Sequence, residues 1–148
     1  MDSTRTHEWP ALSVRQPWAE LLLAGRKSIE LRSWTTDYRG RLWLHASLKA
    51  DPAMESRFGY KDLFRGGFVG SIRLVAIVPI TNQRWLQWKV RHLDPGGYRS
   101  GLLAWIMDEP RRFRTPVNSR GQIGLFIPSS DVVRQLREAN YAIAVGGH

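Results

Sequence analysis

At Gly25 the hydrophobic pattern of this chain changes period, and no other feature of the sequence narrows its fold as much. Before that glycine, Trp18, Leu21 and Leu22 recur at helical spacing behind Pro17, a residue suited to a first helical turn, and Gly25 stands where a helix would stop. The spacing predicts a short helix over 16–24. Beyond it the chain alternates: Ile29 and Leu31 point one way, while Ser28, Glu30, Arg32 and Trp34 point the other. After a turn at 35–40 a second stretch, 41–47, sets Leu42, Leu44 and Ala46 against Arg41, Trp43, His45 and Ser47. Two neighbouring strands, each with a chemically rich second face, are the expected result.

The rest of the chain supplies more strands than helices. Residues 1–8 read as a flexible tail and Trp9–Val14 as a first strand. An excursion, helical or irregular, fills 51–66, and Gly66-Gly67 leads into a long strand, 68–80, bent near Gly70. Thr81 or Asn82 caps a short helix that holds Trp85, Trp88 and Lys89. Past a loop at 94–101, the segments 102–107, 111–117 and 123–127 read as three more strands, with a turn around Asn118–Gly121. Ser129 or Ser130 with Asp131 opens a C-terminal helix to about residue 140. The order of elements, without regular βαβ alternation, predicts an α+β fold: a small β-barrel of five to six strands, curved or closed, flanked by short helices. The expected divisions are 1–8, 9–128 for the domain, and 129–148 for the C-terminal helix and frayed tail.

At 148 residues the chain has room for one proper core, and a monomer is expected. With 43% hydrophobic residues and seven Trp it can bury enough apolar surface to fold. The absence of Cys excludes disulfides, thiolate zinc sites and cysteine nucleophiles. His7, His45, His92 and His148 show no metal-binding spacing, and no Walker loop, dinucleotide fingerprint or G-x-S-x-G elbow is present, so neither metal nor cofactor is expected. No signal-peptide core and no stretch near the ~20 apolar residues of a membrane span occurs, which predicts a cytoplasmic or nuclear protein without a membrane partner. Lys and Arg exceed Asp and Glu by 22 to 13, a formal charge of +9, and such an excess points to a polyanion, nucleic acid first.

The densest chemistry lies in Gly25–Trp34. Lys27 adds a point charge at a helix end, and Glu30 and Arg32, roughly 6.6 Å apart on one strand face, can meet one ligand together. An arginine suits a phosphate or a base edge, and a carboxylate suits an exocyclic amino group. A plainer reading competes: cations at a helix C-terminus complement its dipole, and Glu30 beside Arg32 is an ordinary surface ion pair. Among Trp34, Trp43, Trp85 and Trp88, all set among cations, Trp34 is the first choice as a stacking platform because it shares the face of Glu30 and Arg32. Arg32, Arg39, Arg41, Lys49 and Arg120 are the expected phosphate contacts. Arg111, Arg112 and Arg114 fit either a phosphate track or a charged strand edge. His45 is a further candidate, although a lone strand His is more often packed than reactive.

Three ordered segments carry a resemblance. Leu12-Ser-Val-Arg-Gln-Pro-Trp-Ala19, Gly25-Arg-Lys-Ser-Ile-Glu-Leu-Arg-Ser-Trp34 and Arg39-Gly-Arg-Leu-Trp-Leu-His-Ala-Ser47 resemble the ASCH domain family of the PUA-like superfamily. Ala104-Trp105, Pro116-Val117 and Arg120–Phe126 resemble its closing strands. The resemblance implies a PUA-like barrel with a cleft beside the first helix, lined by Gly25, Lys27, Glu30 and Arg32, and RNA or DNA as ligand, including an extruded base. One bacterial branch hydrolyses N4-acetylcytidine with a Lys and a Thr three residues later. Lys27 matches the first, whereas Glu30 stands at the second and could serve only as a general base through water. Other members are ribonucleases, a reaction that would require Lys27, Glu30 and His45 to converge on a ribose 2′-hydroxyl. A binding module is thus the first expectation. A metal-independent enzyme with Lys27 and Glu30 as the catalytic pair is the second, and a protein-interaction module in transcription or translation the third.

Overall fold

A computed structural model describes residues 8–146. The strands are β1 (Ala11–Val14), β2 (Ile29–Arg32), β3 (Gly40–Ala46), β4 (Gly67–Pro79), β5 (Leu103–Asn118) and β6 (Leu125–Phe126), and the helices are α1 (Trp18–Leu23), α2 (Pro52–Arg57), α3 (Asn82–Gln87), α4 (Lys89–His92) and α5 (Ser130–Gly146). All six strands join one sheet in the order β2-β5-β4-β3-β1-β6. Its two edges, β2 and β6, do not pair with each other, so the sheet curls into a half-barrel. Among the described residues no helix is long and apolar enough to cross a membrane.

The alternation in β3 works as the sequence suggests, but both of its faces are covered. Leu42, Leu44 and Ala46 join Leu12, Leu22, Ile72, Leu74 and Trp105 in the main core, into which α1 packs. Trp43 points the other way and meets Phe68, Phe113, Phe126 and Leu136 beneath α5. A third cluster, Ile29, Ile80, Trp85 and Ala104, lies under α3 and α4.

Several boundaries differ from expectation. The segments 102–107 and 111–117 form one continuous strand rather than two, because β4 follows β5 around its bend. Register shifts at Phe68/Gly70, Ser71/Arg73 and Leu74/Ala76 absorb the curvature, while Glu109 takes a left-handed φ of 48° just before Pro110. The backbones approach so closely there that a Cβ on Gly70 would lie 2.1 Å from the Arg111 carbonyl oxygen. The expected strand 123–127 shrinks to β6, two residues bonded to Ala11 and Leu12. The C-terminal helix runs on to Gly146, and Thr81 is the cap of α3, accepting a hydrogen bond from the Arg84 N–H at 3.1 Å. The tail expected at 1–8 lies, up to residue 7, outside the described residues, as do Gly147 and His148. Glu8 is ordered and pairs with Arg137 of α5.

Candidate functional site

A tight turn after α1 aims Lys27 into the protein. Gly25 takes a φ of 75°, and the Arg26 and Lys27 N–H groups both donate to the Leu21 carbonyl, at 3.0 and 3.1 Å. Lys27 is only 3% exposed: its Nζ donates to the His92 carbonyl at 2.6 Å, stands 3.6 Å from Glu30 Oε1, and lies 4.8 Å from the Trp18 ring centroid. Burial pulls the Lys27 ammonium below its ordinary pKa, against the attraction of Glu30 and Asp94. Glu30, itself buried, reaches the next cation through Oε2, 3.1 Å from Arg32 Nη2. The same Nη2 donates to the Ser13 carbonyl at 3.0 Å. The three charges therefore form a line from the interior to the surface, and Arg32 is its outer end.

Arg32 opens onto a cavity of about 960 Å³, whose walls include Ser13, Trp34, His45, Asn118 and Arg120. Lys27 and Glu30 are not part of that wall. Trp34 is half-buried; its ring meets Trp105 edge-on at 4.7 Å, and its carbonyl accepts a hydrogen bond from Trp105 Nε1 at 3.1 Å. Arg32 Nε is buried and, among the described residues, has no hydrogen-bond partner. Such an orphan N–H costs roughly 1–3 kcal/mol.

His45 forms the back of the cavity. Parallel pairing of β1 with β3 sets Ser13 beside His45, and Ser13 Oγ lies 2.9 Å from Nδ1 while Nε2 lies 2.8 Å from the Ser119 carbonyl oxygen. A carbonyl only accepts, so Nε2 carries the proton; in neutral His45, Nδ1 then accepts from the Ser13 hydroxyl. Burial holds the imidazole below its ordinary pKa, which favours this neutral form.

The remaining candidates are dispersed. Arg120 lines the cavity, exposed. Lys49 is exposed, one residue beyond Leu48 of the same wall. Arg39 folds back onto the carbonyls of Thr36 and Tyr38, at 2.8 and 2.7 Å. Arg41 sits at the opposite end of β3 from His45, donating to Ser71 Oγ at 3.2 Å and to the Glu109 carbonyl. Trp43 and Trp85 are core residues, and Trp88 lies 5.4 Å from each of the Arg84 and Arg91 guanidinium carbons, away from the cavity. Arg112 clamps Glu20 with two bonds of 2.8 and 2.6 Å. Among the described residues no group of three His, Asp or Glu could hold a metal ion.

Sequence reasoning missed Ser13, Asn118 and Ser119. Ser13 lies inside a stretch that reads only as a buried strand, and its role depends on the register between β1 and β3. The glycine-rich run from Arg120 to Gly124 was the available signal for the rest of the wall.

Residues 12–117 match the ASCH domain family. Activating signal cointegrator 1 of Homo sapiens is 54% identical over 44 residues, and that of Mus musculus 52% over the same length; the match covers 30% of this chain and 8% of either relative. Among solved structures, the ASCH protein of Zymomonas mobilis superposes with a TM-score of 0.64 at 15% identity, covering 88% of this chain and 94% of that one. A tyrosine-to-phenylalanine mutant of that protein gives 0.64 at 16%, covering 89% and 98%. These structures share the fold of this chain, an α+β half-barrel, and with a family match across more than half its length the chain belongs to the ASCH domain family.

Proposed function

We propose that this ASCH domain binds RNA or DNA at the cavity beside Arg32 and seats one unstacked base there, against Trp34. A single observation carries the reading: a cavity of about 960 Å³ joins two guanidinium groups, Arg32 and Arg120, to an aromatic wall, in a chain of net charge +9. Phosphates give affinity through such cations, and a Trp face accepts any base. The Arg32 side chain keeps 21% of its surface exposed, enough for a phosphate or base acceptor to reach the guanidinium. Glu30 and Lys27 fix the outer arginine rather than touch the ligand.

Filter binding with single- and double-stranded RNA and DNA tests this. If about five phosphates are neutralised, log K against log salt should have a slope near −3.5 for a single strand and −4.5 for a duplex. Arg120→Ala should weaken binding to all sequences alike and reduce the slope by about 1. Affinity independent of salt would overturn the proposal.

The Ser13–His45 pair favours a second reading, a metal-independent hydrolase acting on RNA or a modified nucleoside in the same cavity. Gel analysis of the same samples in chelator separates the two. Cleavage that vanishes in His45→Ala would make this domain an enzyme, and intact RNA together with unhydrolysed acetylated cytidine would leave it a binder.

A further inference from the structure

The mouth of this cation-lined cavity carries two large apolar side chains. Ile123 is 100% exposed and Leu48 is 79% exposed, and both belong to the cavity wall. A single exposed Ile or Leu is ordinary on any protein. Two at one opening, with Arg32 and Arg120 inside and Lys49 next in sequence to Leu48, are a different arrangement.

Neither side chain hangs on a loose strap. The segment that bears Ile123 is fastened where it begins: the Ser119 carbonyl accepts from His45 Nε2 at 2.8 Å, and the Ser119 N–H donates to the Gly66 carbonyl at 3.2 Å. It is fastened again where it ends, through Leu125 paired with Leu12. Between these points Gly121 lies against the Ser13–His45 pair so closely that a Cβ there would be 2.7 Å from the imidazole. Leu48 rests on Gly66, where a Cβ would come within 2.8 Å of Leu48 Cδ2. Both apolar groups thus project from anchored segments of the cavity wall.

A ligand that matches this rim must offer negative charge and apolar faces at alternating positions. Stacked nucleic-acid bases between phosphates do so, and apolar side chains commonly enter a base step and part it. Resting on the nucleic-acid reading above, we infer that Ile123 and Leu48 form a wedge pair that opens one base step, so that the released base occupies the cavity beside Trp34. A mismatched base, already weakly stacked, would be released most readily.

The experiment uses two probes, a short DNA duplex and an RNA hairpin, each with 2-aminopurine beside a mismatch, because emission from this base rises when it leaves the stack. The full chain should raise emission on at least one probe. Ile123→Ser/Leu48→Ser, whose changed positions are exposed and whose thermal midpoint should match the parent, should lose that rise while keeping its salt slope. An undiminished rise in the double variant would refute the wedge and leave nucleic-acid binding intact, as would binding by the parent with no rise on either probe. If the parent bound neither probe, the nucleic-acid reading itself would fail and the wedge with it. If instead poly-glutamate displaced both probes as well as unlabelled nucleic acid does, the rim would belong to an acidic protein partner, and the inference would be wrong.

Discussion

Glu30 stands between two cations, and its position determines what its loss would do. Lys27 is 3% exposed, and its polar partners are Glu30 and the His92 carbonyl. Glu30→Ala takes the carboxylate away from both Lys27 and Arg32, and breaking a buried pair in this way costs about 3–5 kcal/mol. Urea unfolding of the variant should show the loss as a lowered midpoint with an unchanged slope. The sequence made part of this legible: the alternating period put Glu30 and Arg32 on one face, and the structure joins them at 3.1 Å. The inward turn of that face was beyond the period, because it depends on α1 and α4 closing over Lys27 from segments 65 residues apart, as the Lys27–His92 bond shows. Trp34 was legible for the same reason as Arg32, whereas Ser13 gave no sign of its partner.

Among the elements, β3 and α5 depend on each other. Trp43 on the outer face of β3 lies in the same cluster as Leu136, which is fully buried on the inner side of a helix whose other side exposes Arg134, Arg137 and Glu138. Leu136→Ala should therefore cost about 2–5 kcal/mol, and calorimetry should find a lowered midpoint for the whole chain in one transition. The cap residues Ser129 or Ser130 with Asp131 foretold this helix, yet which residue would anchor it depended on the unpaired aromatic surface left by Trp43, Phe68 and Phe113. Strand β5 reads as two pieces in the sequence because Pro110 interrupts the pattern. Its partner β4 shifts register in step with it, and pairing continues across the break. Bulges at glycines are visible in a sequence, but compensation between two strands is not.

For the molecule as a whole, acid should be more damaging than alkali. Burial lowers the pKa of His45 and of His92, and the unfolded chain, with ordinary imidazoles near 6.5, binds more protons than the folded one between the folded and unfolded values. Stability therefore rises with pH across that window and falls as pH drops below about 6.5. The lowered Lys27 pKa acts with the same sign at alkaline pH. Thermal melting from about pH 5 to 8 should show the midpoint fall on the acid side, and His45→Gln should flatten part of that fall. The net charge of +9 adds self-repulsion as carboxylates protonate. At this scale the sequence foretold the excess of basic residues and a small β-barrel, curved or closed, while the cavity needed loops whose conformation only the assembled sheet defines. One feature of that sheet also sets a schedule. Ala11 pairs with Phe126, 115 positions further along (126 − 11), so on a ribosome adding about 5–20 residues per second the outer edge of β1 waits about 6–23 s for its neighbour. During that interval a bare, largely apolar strand is open to other nascent chains, and the pace of translation bears on the yield of soluble protein.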